Sequence, residues 1–293
     1  MKPNVDIAVI VLTYNEQDNL SFALESVCGW AHQVFVVDSF SKDRTVEVAA
    51  RYDCIVSQHE FVSESSQRNW SLTNLPIDAS WIFFLDADEW MPIALRDEIA
   101  AVLSQGTAHN GFLLRWRLIW MGRWVKRGYY PKWLPRLVRR GSAKWEIREI
   151  NPHLVVEGTL GRLQNDFIHE NRKGLRDWSE KHIRYAIQEA IELFRLQEQP
   201  SELEPSLFGS QAQRLRWIRV RVYNRLPALS RPFFYFFYRV IIRLGFLDGW
   251  QAVVYHFLHA FWCPLLIDLF YLEMKETRKQ ADKTVASAKV LTP

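Results

Sequence analysis

The chain has 293 residues, a formal net charge of +4, 48% hydrophobic and 24% charged residues. That length supports one large domain or two modest ones with a real core, and the balance excludes a disordered or highly charged chain. Three scattered cysteines, Cys28, Cys54 and Cys263, exclude a disulfide framework or a cysteine-ligated metal cluster and fit a reducing compartment.

The first apolar run, VDIAVIVL (5–12), is short, carries an acid and leads into TYNE rather than a small-residue cleavage site, which predicts a mature cytoplasmic start. The runs IAVIVL (7–12), QVFVVD (33–38), CIVSQ (54–58) and WIFFLD (81–86) are too apolar for a half-exposed sheet. They predict parallel strands covered on both faces. Residues 18–28, 43–52, 64–74 and 92–104 between and after them have helical spacing, with Asp18 and Asp43 as expected N-caps and Pro92 suited to a first turn. Repeated strand–helix units imply an α/β sheet, whose ligands sit at the carboxyl ends of the strands. That edge would carry Thr13, Tyr14, Asn15 and Glu16 after the first strand, Asp38 and Ser39 after the second, and Asp86 to Glu89 after the fourth.

Gly29 is the only glycine before residue 106, so this half has no glycine-rich loop to cradle phosphates. A bound diphosphate would need another positive partner. Asp86 and Asp88 in FFLDADEW are two apart, and in an extended segment both would leave the same side of the chain to hold Mg²⁺ or Mn²⁺. A D-x-D pair alone also fits a solvated helix start. Its position at the end of a very apolar strand favours the metal.

Residues 111–145 interleave arginines and lysines with Trp116, Trp120, Trp124, Trp133 and Trp145. Such a pattern serves a phosphorylated or lipid-diphosphate sugar acceptor, packs a core, or binds nucleic acid. The acceptor is the preferred reading, and no nucleic-acid partner is expected. Residues 175–197 read as an amphipathic scaffold helix. Beyond them, no acid occurs between Glu204 and Asp248, while Arg214, Arg216, Arg219, Arg221, Arg225, Arg231, Arg239 and Arg243 do. Two aromatic runs follow, the second at 250–272, which is interrupted by His256, His259, Pro264 and Asp268. The expectation is a helical region that lies on a membrane surface through residues 205–272 rather than crossing it.

VIVLTYNEQDNL, VFVVDSFSKDRTVEVA, SQRNWSL and WIFFLDADEW together resemble the successive motifs of family 2 glycosyltransferases of GT-A fold, in particular those that add sugars to lipopolysaccharide cores and exopolysaccharides. The likeness continues through GRWVKRGYYPKWLPRLVRR, VEGTLGRLQNDFIHEN and GFLDGW. It implies an α/β, Rossmann-like, mostly parallel central sheet flanked by helices, divided into a nucleotide-sugar half (1–105), an acceptor half (106–200) and the membrane-associating region (201–293). By the same resemblance Thr13, Tyr14, Asn15, Glu16 and Asp38 hold base and ribose, Gln67, Arg68 and Asn69 lie near the donor with Ala87, and Asp86 and Asp88 hold the metal, with Glu89 supporting them. The implied activity is metal-dependent inverting transfer from a nucleotide-diphosphate sugar, UDP first, to a lipid-linked glycan at the inner face of the cell membrane. The sequence departs from the family where a catalytic Glu is expected, because Pro152 stands there; Glu149 and His153 are the substitutes. QRLRW (213–217) matches a signature of processive synthases but lacks their many transmembrane helices. A D-x-D phosphatase and a non-enzymatic membrane-surface protein are the alternatives.

Overall fold

A computed structural model describes residues 5–147, 153–196, 217 and 226–290. The chain divides into two compact units, Met1–Gly174 and Leu175–Pro293. The strands of the first unit are β1 (Val5–Thr13), β2 (Ala31–Asp38), β3 (Ile55–Gln58), β4 (Trp81–Asp86), β5 (Glu89–Trp90), β6 (Gly111–Trp120), β7 (Arg123–Trp124), β8 (Lys132–Arg139), β9 (Ala143–Trp145), β10 (Leu154–Val156) and β11 (Leu160–His169). Its helices are α1 (Leu20–Val27), α2 (Thr45–Ala49), α3 (Glu64–Asn74) and α4 (Ile93–Ser104).

All but β9 and β10 join one sheet in the order β3-β2-β1-β4-β8-β6-β11-β5, with β7 paired to β6. Strands β3, β2, β1 and β4 are parallel, as their unbroken apolar runs predict. Ile7 to Val11 are each at most 1% exposed, so both faces of β1 are covered. Beyond β4 the sheet is mixed: β8 is antiparallel to both β4 and β6, and β11 is parallel to β6. Strands on both sides of residue 105 therefore belong to one sheet. The helix starts differ from the expectation at all three positions. Asn19 rather than Asp18 occupies the cap position of α1, Arg44 rather than Asp43 is the cap of α2, and Pro92 is the cap of α4 rather than a residue of its first turn. Asp43 does act at the start of α2, where its carboxylate accepts from the Thr45 backbone N–H at 2.9 Å.

Two features of this frame position the site. After β4, residues 87–88 form a turn, and β5 doubles back to pair with the end of β11, Glu89 opposite His169 and Trp90 opposite Ile168. The segment after Asp86 is thus not extended, and Asp86 and Asp88 meet different partners. Second, the separate β9–β10 hairpin is held to α3, because the Asn69 side chain donates to the Trp145 carbonyl and accepts from its N–H, both at 2.9 Å.

In the second unit α5 (Gly174–Leu196) buries Ala186 and Ala190. Helix α6 (Arg231–Phe237) continues through a wider π-type segment, Tyr238–Ile242. A tight turn at Gly245–Asp248 leads into α7 (Trp250–His256), a second wide segment (Phe257–Trp262) and α8 (Cys263–Val290). The Asp268 carboxylate is buried and accepts from the Arg231 guanidinium and from the Leu229 N–H at 2.9 Å. The arginines expected to face a membrane divide accordingly. Arg231 and Arg239 are buried, Arg239 at 3.1 Å from the His259 ring and over the Tyr235 and Tyr255 rings, while Arg243 is exposed. Arg214, Arg216, Arg219, Arg221 and Arg225 lie outside the described residues.

Candidate active site

The loop after β1 and the loop after β2 are built around Asp38. Its carboxylate, fully buried, accepts from the Thr13 hydroxyl at 3.0 Å, the Ser41 hydroxyl at 2.5 Å and the Ser41 N–H at 2.9 Å. Several donors on one carboxylate are what its burial requires. Asp38 therefore orders the two loops. Asn15, at φ 54°, cross-links them, donating its N–H to the Ser41 hydroxyl and accepting from the Lys42 N–H with its side chain, both at 2.8 Å. Tyr14, between them in sequence, is 53% exposed and is the one side chain of the four-residue TYNE loop that the fold leaves open to solvent to this extent. Gln67, on α3, closes the same region by bonding the Ser39 hydroxyl at 3.1 Å and the His59 ring at 2.7 Å.

The acid cluster has a positive partner, but for two of its three members the partner is arginine. Asp86, at the end of β4, accepts from Arg68 at 2.7 Å on one oxygen and from Arg136 at 2.9 Å on the other. Arg136, on β8, also reaches Glu89 at 2.8 Å, and the second Glu89 oxygen accepts from the Asp86 N–H at 3.0 Å. Arg68 is further held by Glu64 at 2.6 Å and lies over the Trp145 ring at 4.1 Å. Burial alone would raise the Asp86 pKa, but Arg136 and Arg68 outweigh it and hold the group well below the usual carboxylate range. Burial dominates at Glu89, which is pushed up to about 7, with the Asp86 charge adding to the rise against Arg136. Each Asp86 oxygen thus faces a guanidinium group, Arg68 on one and Arg136 on the other, at the position expected to share a metal with Asp88. Ala87 is buried in the turn.

Asp88 is differently placed. Its carboxylate lies 3.4 Å from Nδ1 of His169, the last residue of β11, because the β5–β11 pairing brings that strand end alongside the turn. The His169 ring rests on Trp116 of β6, centroid to centroid 4.9 Å. Glu16 belongs to the same neighbourhood: burial raises its pKa, the Asp88 charge raises it further, and Lys173 opposes both at 2.6 Å. A carboxylate and an imidazole suit a divalent ion with mixed oxygen and nitrogen preference. Donors each about 2.1 Å from one octahedral ion stand about 3 Å apart, close to the spacing of this pair. Among the described residues no group of three or more His, Cys, Asp or Glu side chains is arranged to hold a metal ion, so an ion here would take its remaining ligands from substrate and water.

Of the expected residues, the structure brings Asp38, Thr13, Asn15 and Gln67 together in the loop network, and Asp86 and Arg68 in the ion-pair network. Asn69 is spent on the Trp145 backbone. His153 is exposed and lies 3.2 Å from Glu146, across the β9–β10 hairpin. Glu149 and Pro152 lie outside the described residues. Sequence reasoning left His169 and Arg136 without roles. Each had a signal: His169 ends an apolar strand (DFIH) as Asp86 does, and Arg136 interrupts the apolar run of LPRLV.

Residues 8–116 match the family model described as Glycosyl transferase family 2. The lipopolysaccharide core biosynthesis glycosyltransferase LpsC of Rhizobium meliloti (strain 1021) is 26% identical over 172 residues, covering 55% of this chain and 61% of that protein. An uncharacterized glycosyltransferase of Rickettsia bellii (strain RML369-C) is 30% identical over 117 residues, 40% of this chain and 39% of that protein. The chain thus matches between 39% and 61% of the length of these two curated relatives. Among solved structures, the mannosyltransferase PcManGT of Pyrobaculum calidifontis in complex with GDP-Man and Mn²⁺ superimposes with a TM-score of 0.47 at 13% identity, covering 93% of this chain and 87% of that one. S. aureus TarS 1–349 gives a TM-score of 0.46 at 14% identity, covering 96% and 92%.

Proposed function

We propose that this chain, whose residues 8–116 match the glycosyl transferase family 2 model, transfers a sugar with inversion from a nucleotide-diphosphate donor to a lipid-linked or lipopolysaccharide-type glycan acceptor. The observation that carries the reading is the Asp88–His169 pair at the carboxyl ends of β4 and β11, 3.4 Å apart beside a loop network free of glycine phosphate cradles. Asp88 and His169 would hold Mg²⁺ or Mn²⁺, which when bound would offset the charge on the departing nucleoside diphosphate. Tyr14 and the loop ordered by Asp38, Thr13, Asn15 and Glu16 would receive the nucleoside, UDP being the first nucleotide to test. Arg68 and Arg136 keep the strand end that presents Asp88 in one conformation.

In the transfer an acceptor hydroxyl oxygen bonds to the anomeric carbon as the bond from that carbon to the diphosphate oxygen breaks, and the hydroxyl proton passes to a base. Glu149 and His153, both of the segment linking β9 to β10, remain the proposals for that base. His153 has a supporting partner, since Glu146 at 3.2 Å would orient its ring and stabilise it once protonated.

The second unit supports a membrane-surface reading. Phe233, Phe234, Phe237, Tyr238, Ile241 and Ile242 recur at helical spacing and are each between 44% and 60% exposed, and Leu244, Phe246, Leu247 and Trp250 extend the patch. One helical run, Trp250–Ala281, is long and apolar enough by length and composition to cross a membrane. Its one buried acid, Asp268, is neutralised by Arg231. Interfacial docking at the inner face of the cell membrane would bring the domain to a lipid-anchored acceptor.

Thermal unfolding with UDP or GDP and Mn²⁺ tests the donor site. Ligand at about one hundred times its dissociation constant adds about 2.7 kcal/mol, worth a shift of about 5 °C or more. Asp88→Asn and His169→Ala should each abolish the Mn²⁺-dependent part of the shift. A shift of wild-type size in both variants would remove the basis for the metal assignment.

A further inference from the structure

The loops that follow β1 and β2 leave the sheet side by side, because the strand register pairs Thr13 with Asp38. Their polar groups turn on one another. Besides the bonds of Asp38 and Asn15, the Glu16 N–H donates to the Thr45 hydroxyl at 2.7 Å, the Gln17 N–H to Asp43 at 3.2 Å and the Arg44 N–H to the Gln17 side-chain oxygen at 3.1 Å. The large apolar side chains that these loops turn outward are Tyr14 and Phe40, each 53% exposed.

Phe40 is the less expected of the two. Its backbone is left-handed, at φ 58°, and it is the one aromatic residue at positive φ among the described residues. Glycine adopts that conformation freely, whereas a bulky residue is strained in it. The bonds on either side impose it: the Ser39 N–H donates to the Thr13 carbonyl and the Ser41 N–H to Asp38, both at 2.9 Å. The fold thus keeps a phenylalanine where glycine would suit the backbone better, with about half of its surface left in water. An isolated exposed phenylalanine needs no explanation. One held in a strained conformation beside a second exposed ring, at the carboxyl ends of parallel strands, points to a ligand.

Resting on the glycosyltransferase reading above, we propose that Phe40 is the donor-specificity residue: its ring stacks on the nucleobase, so the site recognises nucleoside diphosphates by the base's face and accepts pyrimidine and purine alike. Every base has a π-face, which makes stacking tolerant of base identity. Reading identity takes donors and acceptors aimed at the base edge. Here the Asp38 carboxylate and the Thr13 hydroxyl are buried and bonded to each other at 3.0 Å.

The test uses the full chain and calorimetric titration in Mn²⁺ with UDP, GDP and ribose 5-diphosphate, which has the sugar and diphosphate but no base. UDP and GDP should bind the wild type within about a hundredfold of each other, because edge-reading sites discriminate by about 10⁴-fold. Phe40→Gly should weaken both by about fivefold or more and leave ribose 5-diphosphate unchanged, while Phe40→Tyr retains the wild-type values. Without ligand, Phe40→Gly should melt no lower than the wild type, since the left-handed backbone is relieved; a packing role for the ring would lower the melting temperature. Asp88→Asn tests the reading beneath: it should weaken all three ligands, the base-free one included, so a lost metal site and a lost stacking ring leave different patterns. A larger preference between UDP and GDP, a smaller loss in Phe40→Gly, a comparable loss of ribose 5-diphosphate in that variant, or its lower ligand-free melting temperature overturns the proposal. A wild type that binds none of the three ligands removes the donor site, and this inference with it.

Discussion

Arg136 carries more of the acid cluster than any other side chain, since it alone touches both Asp86 and Glu89 from a position 6% exposed. Removing one partner of a buried charge network costs about 3–5 kcal/mol because the other charges stay behind unpaired. Arg136→Met should therefore lower the unfolding free energy by about that amount in urea titrations. Adding Glu89→Gln should return part of it, by removing the carboxylate that Arg136 no longer reaches, while Asp86 keeps Arg68. If the double variant is less stable than Arg136→Met, charge compensation is not what Arg136 supplies. Glu89 itself sets a pH dependence. Its value is about 7 in the folded chain against 4.5 as an ordinary carboxyl, so the folded state keeps a proton that the unfolded state releases between those values. The contribution is complete below 4.5 and drains away as pH rises to about 7. Asp86 runs the other way: its value is lowered, so its contribution is present above 3.8 and lost as pH falls below that. In chelator, wild-type stability should fall between pH 5 and pH 7 more than that of Glu89→Gln; parallel curves would show that Glu89 does not titrate there. At this scale the sequence was only half legible. Three acids after an apolar strand announced a positive partner, but which acid meets arginine and which meets His169 depends on strands contributed from 132–139 and 160–169, and no local spacing encodes that pairing.

The elements themselves were easier to read. Expected strands at 7–12, 33–38, 54–58 and 81–86 became Val5–Thr13, Ala31–Asp38, Ile55–Gln58 and Trp81–Asp86, and the helix expected at 64–74 became Glu64–Asn74. Their apolar period and punctuation are local properties, so one chain suffices to see them. Long-range pairings are not local, which is why β8 and β11 entered the sheet unannounced. In α3 Asn69 has become a clasp, with both halves of its amide bonded to the Trp145 backbone while Arg68, one residue earlier, stacks on the same indole. Asn69→Ala leaves two backbone groups of β9 without these partners, a loss of about 1–3 kcal/mol. Hydrogen exchange at the Trp145 amide should quicken about tenfold or more, with exchange in β1 unchanged. Unaltered exchange at Trp145 would mean the hairpin is held by its other contacts.

For the molecule as a whole, the second unit poses the question of which force would bring it to a membrane. An arginine-led mechanism is weakened within the described residues, because Arg231 is committed to Asp268 and Arg239 is buried among Tyr235, Tyr255 and His259. Arg243, exposed, would add only ~1 kcal/mol at an anionic surface. The apolar face is the larger reserve. Burying a phenylalanine side chain is worth about 1.5–3 kcal/mol, and Phe233, Phe234 and Phe237 are each between 55% and 59% exposed on consecutive turns. The hydrophobic contribution therefore exceeds the charge contribution from the described arginines. Full-length protein should co-sediment with phosphatidylglycerol–phosphatidylcholine vesicles and stay bound when salt is raised, since screening acts on the smaller of the two forces. Phe233→Glu/Phe237→Glu should leave the protein in the supernatant while its Mn²⁺–UDP thermal shift persists. Release by salt alone, with the double variant still sedimenting, would transfer the role to the basic segment at 214–225.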